Sequence, residues 1–396
     1  MTDKTRWGAV FALLFAGVAV ALQIGKAAIA VPILQRDLSL SLFVASWVLS
    51  AYGTLGAVAG LPSGIIASLF SAKRTLIAGL IAAGVGSLAG ALVTDGSLLI
   101  ATRVVEGCGF LAAVLALPRL LRAVTAPKDR DTVMAMFGAY MPVGSVIMMV
   151  AGPHLAAYGW QTLWIVNGAI VLAYAVLIAL LPVQEEAHAA NPGRALIPNI
   201  KHAFGTPGPI LLALAFGIYT FQYAAMAGLM PTLLVDRLGL SISAAGAISA
   251  LTVAANAVGN LFAGALLRFG APLWGIAAFG FTFVGFAGFG VFSESLPVAA
   301  IAILASASLA ITGFIPASIF AAAPRFAASS AVLAIVLGLI NQATNLGNLI
   351  GPAVMAFTVQ SFGWARAPFL FVGVTIAGVT VALLLRHAMK RAKTSA

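Results

Sequence analysis

The sequence contains little charge. Of its 396 residues, 8% are Asp, Glu, Lys or Arg, whereas 62% are hydrophobic. Soluble globular domains carry a charge on roughly a quarter of their residues, so this composition excludes an ordinary soluble domain. A helix needs about 20 apolar residues to cross a bilayer, and a chain of this length has room for about twelve such segments. The sequence therefore predicts an all-α membrane protein with many spans.

Residues that build metal and covalent sites are also scarce. The single cysteine, Cys108, lies in an apolar run, which excludes a disulfide framework and a zinc site made of cysteine ligands. Four histidines are scattered along the chain at positions 154, 188, 202 and 387, and the sequence has neither an H-E-x-x-H motif nor a phosphate-binding glycine loop with lysine. We therefore expect no metal, no cofactor and no enzymatic activity.

Apolar runs interrupted by proline, glycine and charge predict twelve membrane spans. Their predicted ranges are 7–34, 42–67, 75–93, 98–118, 133–155, 162–182, 209–233, 242–267, 272–292, 297–321, 331–358 and 367–385. The longest polar segment separates the sixth span from the seventh. The sequence thus predicts an N-terminal six-helix bundle over 1–182, a cytoplasmic linker over 183–208 and a C-terminal six-helix bundle over 209–396.

Basic residues are distributed unevenly between the two sides of the predicted spans. Sixteen Lys and Arg residues lie on the side of the N-terminus, whereas only Arg36, Arg237 and Arg366 lie in the loops of the opposite side. Because short cytoplasmic loops carry the excess of Lys and Arg, we expect both termini to be cytoplasmic and the protein to be in a bacterial-type inner membrane. This topology accounts for the net charge of +11, so we expect no nucleic-acid partner.

The two halves of the sequence repeat one another at a shift of about 200 residues. The shared landmarks are Pro32–Ser41 with Pro231–Ser241, Gly152-Pro153 with Gly351-Pro352, and Gly159-Trp160 with Gly363-Trp364. Since each half has six predicted spans, both copies enter the membrane in the same direction. Such parallel repeats are typical of transporters that work by alternating access.

Residues 103–109 in the fourth predicted span read Arg-Val-Val-Glu-Gly-Cys-Gly. Together with the six-plus-six pattern, this stretch resembles the R-x-x-[QE]-G-x-G motif of the major facilitator superfamily, and the resemblance covers nearly the whole chain. It implies two six-helix bundles around a central cavity, with the first, fourth, seventh and tenth spans innermost. Rocking of the bundles would expose the cavity to alternate sides of the membrane.

Two other motifs of this family are altered in the sequence. Residues 64–74 correspond to the family loop G-x-L-a-D-R-x-G-R-[RK], but Ser68 replaces the acid and Ser71 the second glycine. In the fifth span, Ala156 and Ala157 replace the glycine pair of the antiporter motif G-P-x-x-G-G. The loss of the antiporter glycines favours uptake over efflux.

Three ionisable residues, Lys26, Arg103 and Glu106, lie inside predicted spans. A charge in hydrocarbon costs at least a few kcal/mol, so such residues are candidates for function. The helical rise places all three roughly 8–12 Å from the outer edge, and Arg103 and Glu106 can pair on one helix face. We expect Lys26 or Arg103 to attract an anionic or electron-rich substrate group, while Glu106, with Arg103 beside it, balances charge or carries a proton. The alternative is an internal salt bridge that only fixes packing, with Lys26 reaching outward to the membrane surface.

The second half supplies tyrosines and amides in place of charges. Tyr219, Gln222 and Tyr223 lie in the seventh span, which the resemblance places at the cavity, and Asn341 and Asn345 follow helical spacing in the eleventh. These five residues complete the predicted substrate-binding set. Aromatic faces with a few amides suit a planar, hydrogen-bonding metabolite. Alternatively, the amides bond across helices and only support packing.

The sequence as a whole predicts a secondary active transporter that moves a small organic solute by rocker-switch alternating access. A metabolite, a vitamin or an organic anion is the expected solute, uptake is the favoured direction, and protons are the candidate coupling ion. The alternative is proton-coupled efflux of drugs or metabolites. The expected partners are the solute and the lipid bilayer, and we expect a monomer to function because one chain contains both bundles.

Overall fold

The computed structural model describes residues 4–68, 70–183, 204–327 and 329–394. Among these residues, twelve helices are long and apolar enough to cross a membrane, and no β-strand is present. We label these spans in chain order as Trp7–Asp37 (α1), Leu42–Gly60 (α2), Ala72–Leu92 (α3), Gly96–Val124 (α4), Pro127–Ala156 (α5), Trp160–Leu180 (α6), Pro207–Arg237 (α7), Ile242–Arg268 (α8), Leu273–Val291 (α9), Val298–Phe326 (α10), Val332–Phe362 (α11) and Trp364–Arg391 (α12). The predicted all-α class with twelve spans is confirmed.

Polar side chains fix the starts of several spans. At the start of α4, the carboxylate of Asp95 accepts hydrogen bonds from the backbone N–H groups of Ser97 and Leu98 at 2.9 and 3.0 Å. At the start of α3, the hydroxyl of Ser71 accepts the N–H of Arg74 at 3.2 Å. These side chains supply the acceptors that the first helical turn lacks. Inside the spans, the helix satisfies its own backbone groups, as hydrocarbon surroundings require.

The two sequence halves make the same turn between their first and second spans. Ser39 and Gly239 occupy equivalent positions, and both have positive φ angles, of 51° and 64°. Two residues later, the hydroxyls of Ser41 and Ser241 each accept the backbone N–H three residues ahead, at 3.2 and 3.3 Å. A positive φ is uncommon for any residue other than glycine. The repeat read from the sequence is therefore also a repeat of backbone conformation.

A second pair of equivalent turns explains the two Gly-Trp landmarks. Gly159 precedes α6 with a φ of 101°, and Gly363 precedes α12 with a φ of 78°. L side chains rarely adopt these angles, whereas glycine adopts them at little cost. Glycine is therefore needed at the same point of each half, immediately before a helix that begins with tryptophan.

The chain divides into two compact units. Unit 1 contains Met1–Gly56, Pro62–Ala190 and Leu234–Ala250, and unit 2 contains Ala57–Leu61, Asn191–Leu233 and Leu251–Ala396. Each unit thus consists mainly of the six spans of one sequence half. Residues 184–203 of the predicted linker lie outside the described part of the chain, so the linker and its boundaries stay a prediction.

Glycines allow helix backbones to approach one another closely within each unit. In unit 1, α3 and α4 meet where Gly79 faces the carbonyl oxygen of Gly109. In unit 2, α8 and α10 meet at Gly259, where a β-carbon would overlap the carbonyl oxygen of Ala310. Membrane helices associate through such van der Waals contacts between small residues. These contacts explain part of the high glycine content of the chain.

We expect Gly259→Ala to destabilise the protein by about 1–3 kcal/mol, the usual cost of overpacking, because the new methyl group would overlap Ala310. The matched control is Gly264→Ala in the same helix, where the described residues place no atom within 4 Å of a β-carbon. Alanine's better helix propensity should leave the stability of that control unchanged or raise it by up to about 1 kcal/mol. Thermal unfolding of both variants in detergent measures the difference, and equal midpoints would contradict the close contact of α8 with α10.

Candidate functional site

The three ionisable residues predicted inside the spans meet in unit 1. Lys26 on α1 and both Arg103 and Glu106 on α4 are fully buried. The Nζ atom of Lys26 lies 3.0 Å from Oε2 and 3.3 Å from Oε1 of Glu106, and the guanidinium of Arg103 donates to the same Oε2. One carboxylate is therefore shared by two cations. Because Lys26 is buried, the alternative in which its side chain reaches out to the membrane surface is wrong.

Arg103 also binds the backbone of two neighbouring helices. Its Nε donates to the carbonyl oxygen of Val48 on α2 at 2.8 Å, and its Nη2 donates to the carbonyl oxygen of Gln23 on α1 at 3.1 Å. Its Cζ lies 4.7 Å from the ring centroid of Tyr52 on α2. A guanidinium presents five N–H donors in a rigid fork. Here these donors fix α4 against both α1 and α2.

Lys26 connects the cluster to two more helices. Its Nζ donates to the hydroxyl of Ser87 on α3 at 2.8 Å, and Ser87 in turn donates to the carbonyl oxygen of Trp164 on α6 at 2.7 Å. The same Nζ lies 4.4 Å from the centroid of the Trp164 ring, a cation–π distance. The ammonium group is thus surrounded by a carboxylate, a hydroxyl and an aromatic face.

The cluster also contains four residues that were not among the predicted site residues: Gln23, Tyr52, Ser87 and Trp164. Only Gln23 carried a usable signal, since it precedes Lys26 by three residues and shares its helix face. A serine among glycines, or an aromatic ring in an apolar run, is not distinguishable by spacing from ordinary packing. Their roles depend on which helices are neighbours.

The cluster contains more positive than negative charge. When all three groups are ionised, two cations and one carboxylate sum to +1. Among the described residues, Glu106 is the only carboxylate within ion-pair distance of Lys26 or Arg103. An uncompensated charge is costly to bury, so this site is electrostatically suited to receive a further anionic group.

The tyrosines predicted in the second half lie in unit 2, where Tyr219 takes part in neutral hydrogen bonding. The hydroxyl of Tyr219 on α7 donates to Oδ1 of Asn256 on α8 at 3.1 Å, and Nδ2 of Asn256 donates to the carbonyl oxygen of Leu309 on α10 at 2.7 Å. The rings of Tyr219 and Tyr223 lie 6.0 Å apart between centroids. This chain of hydrogen bonds joins α7, α8 and α10.

The three predicted amides in unit 2 have different surroundings. Gln222 is fully buried, and neither of its amide atoms has a hydrogen-bond partner among the described residues. In contrast, Asn341 and Asn345 are half-buried, and Nδ2 of Asn345 donates to the carbonyl oxygen of Asn341 at 2.9 Å. An unpaired buried amide costs about 1–3 kcal/mol. Among these three amides, the buried one, Gln222, therefore bears this cost.

Comparisons with known proteins agree on one family. The model of the Major Facilitator Superfamily matches residues 13–342. The 3-(3-hydroxy-phenyl)propionate transporter of Escherichia coli K12 is 31% identical over 228 residues, which cover 56% of this chain and 55% of that protein. The puromycin resistance protein pur8 of Streptomyces alboniger is 30% identical over 183 residues, covering 46% of this chain and 36% of that protein. The chain thus matches about half, or less, of the length of these curated relatives.

A solved structure gives the more extensive likeness. A bacterial homologue of the human lysosomal transporter Spinster, in an inward-facing and unoccupied conformation, has a TM-score of 0.81, with 98% of both chains covered. The two sequences are 14% identical, so this likeness establishes the fold and not the substrate.

The charge of the cluster predicts the order of stability among its variants. Lys26→Met leaves Arg103 and Glu106 as a balanced pair, so we expect the free energy of unfolding to be unchanged or higher. Glu106→Gln leaves two buried cations without a carboxylate and should cost about 3–5 kcal/mol.

Thermal unfolding of both variants in the same detergent measures this order. The control is Arg36→Met on the same helix as Lys26, because the Arg36 side chain is 73% exposed and pairs only with Asp37 at the surface among the described residues, which is worth at most about 1 kcal/mol. A Lys26→Met protein less stable than Glu106→Gln would contradict the surplus of positive charge.

Proposed function

This chain belongs to the major facilitator superfamily of transporters, and on that premise we propose that it moves a small organic anion by alternating access. The observation that carries the proposal is the cluster of unit 1, in which Lys26 and Arg103 share the single carboxylate of Glu106. Charges within membrane spans are rare and mark solute or proton pathways by default.

The surplus positive charge supports an anionic solute. A carboxylate that approached Lys26 would bring the charge of the cluster to zero, and it would compete with Glu106 for the ammonium group. The related transporter from Escherichia coli is named for a propionate, which carries such a carboxylate at neutral pH. In the structure the ammonium group of Lys26 donates hydrogen bonds to Glu106 and Ser87. Binding of the solute therefore requires Lys26 to exchange partners.

We further propose uptake across the inner membrane, with both termini in the cytoplasm and with protons as the coupling ion. The distribution of basic residues supports the orientation of the chain in the membrane. The loss of the antiporter glycines supports uptake as the direction of transport. Glu106 supports proton coupling, since a carboxyl group can accept a proton once a solute anion takes its place beside the cations. One chain contains both units, which supports a functional monomer.

The second candidate function is proton-coupled efflux of a drug or metabolite. The specific observation in its favour is the similarity to the puromycin resistance protein. That protein is 30% identical to this chain over the matched residues, nearly the same as the 31% of the propionate transporter. The two candidates differ in the molecules that should bind. Efflux proteins of this kind would respond to many lipophilic compounds, whereas an uptake protein would respond to one class of metabolite.

The test of the proposed function begins with a thermal-shift screen of the purified protein against aromatic carboxylates, including 3-(3-hydroxyphenyl)propionate, and against lipophilic drugs. A ligand that binds the folded protein raises the unfolding temperature by mass action. Uptake of the best ligand is then measured in proteoliposomes. We expect Lys26→Met to abolish uptake and Arg36→Met to retain the wild-type rate. Wild-type uptake by Lys26→Met, or shifts from drugs alone, would overturn the proposal.

Proton coupling is tested separately with Glu106→Gln, below the unfolding temperature of that variant. We expect this variant to lose accumulation driven by an imposed pH gradient, because its amide cannot carry the proton. Exchange of labelled for unlabelled solute at equal pH needs no net proton movement, so it should persist. Gradient-driven accumulation by Glu106→Gln would remove Glu106 as the coupling group.

A further inference from the structure

Unit 2 contains an apolar groove among α7, α11 and α12. Its volume is about 400 Å³, and every residue that lines it is apolar. Leu214, Leu346 and Ile350 line the groove and are 49%, 46% and 40% exposed. Since these three residues belong to membrane spans, apolar side chains exposed at this depth contact hydrocarbon more favourably than water. The groove is therefore suited to an apolar chain.

A second cavity adjoins the groove at Leu370, which lines both. This cavity measures about 430 Å³ and is also lined by Thr358, Phe362, Arg366 and Phe369. It lies where α11 ends and α12 begins, at the edge of the spans. The two cavities together form a path from the interior of the spans to one membrane surface.

The path extends through most of the depth of a bilayer. Phe362 lines the cavity at the span edge, and Ala343, on the same helix, lines the inner part of the groove. At the helical rise of α11, these residues are separated by about 28 Å. The hydrocarbon core of a bilayer is about 30 Å thick, so the path is long enough to hold an acyl chain of one leaflet along its whole length.

Arg366 provides a positive charge at the polar end of the path. Its side chain is exposed, its Cζ lies 5.8 Å from the ring centroid of Phe369, and no carboxylate among the described residues pairs with it. The planar donors of arginine match the oxygens of a phosphate group. Aromatic residues, here Phe362 and Phe369, flank the same cavity.

We propose that these two cavities form a binding site for an anionic phospholipid. The phosphate contacts Arg366 at the span edge, and one acyl chain lies in the apolar groove of α7, α11 and α12. The charge at one end and the apolar groove at the other match the two parts of such a lipid. This site is independent of the transported solute, and on the proposed topology it faces the outer leaflet.

Native mass spectrometry of the purified full chain tests the site with phosphatidylglycerol, phosphatidylcholine of the same acyl chains, and soluble glycerol 3-phosphate. We expect phosphatidylglycerol to bind most tightly. Arg366→Ala should weaken its binding by about tenfold, the effect of losing one charge-assisted contact. It should weaken the binding of phosphatidylcholine less, because the choline group of that lipid offsets the charge of its phosphate. Gly373→Leu should weaken the binding of both lipids, because its side chain would fill part of the groove. Residue 373 lines the groove, and a β-carbon there would have no atom of the described residues within 4 Å.

Matched controls separate these effects from general changes in charge or bulk. Arg36→Ala removes another exposed cation, and Gly264→Leu adds the same bulk at an exposed position of α8 with open space around it. Both should bind phosphatidylglycerol like the wild type. The proposal would be overturned if the wild type bound both lipids equally, or if it bound glycerol 3-phosphate as tightly as phosphatidylglycerol. Unchanged binding of phosphatidylglycerol in Arg366→Ala or in Gly373→Leu would also overturn it.

Discussion

A charged side chain inside a membrane must find its counter-charge and its hydrogen-bond partners within the protein, and unit 1 is organised around this requirement. Glu106 is shared by Lys26 and Arg103, and the remaining donors of the two cations bind Ser87 and the backbone of α1 and α2. Ser87 extends the network to α6. The interactions that solvate the three charges are thus the same interactions that position α1, α2, α3, α4 and α6. In this unit, the candidate solute site and the structural core coincide.

The sequence predicted the spans well because hydrocarbon imposes a simple rule on composition. It predicted helix ends and neighbours less well. The fifth span was predicted to begin at 133, because the charged residues before that position suggested a loop. It begins at Pro127, and those charged residues form its first helical turns. The second span is interrupted at Ala59, where φ is −121° and ψ is 16°. Lys26 and Glu106 could be placed at one depth from spacing alone, but their contact, like that of Tyr219 with Asn256, depends on helix neighbours.

The two sequence halves share a backbone pattern, but the two units differ in chemistry. Ser39 and Gly239 adopt the same unusual conformation at equivalent turns, which shows how closely the repeat is kept. The interiors have nevertheless diverged, because unit 1 joins its helices through ions, whereas unit 2 joins α7, α8 and α10 through Tyr219 and Asn256. Family membership follows from the shared pattern. The kind of solute depends on the part that is not shared.

The single carboxylate of the cluster also has an electrical consequence. With Lys26, Arg103 and Glu106 ionised, an empty protein holds one surplus positive charge within the membrane. On the proposed coupling, a protein that has bound a monovalent anion and taken up a proton on Glu106 holds the same charge. Moving one elementary charge through 100 mV changes the free energy by about 2.3 kcal/mol. The membrane potential would therefore act alike on the reorientation of the empty and of the loaded carrier. Voltage would then change how quickly the carrier reorients, but not the final accumulation of the solute, because the anion and the proton together carry no net charge.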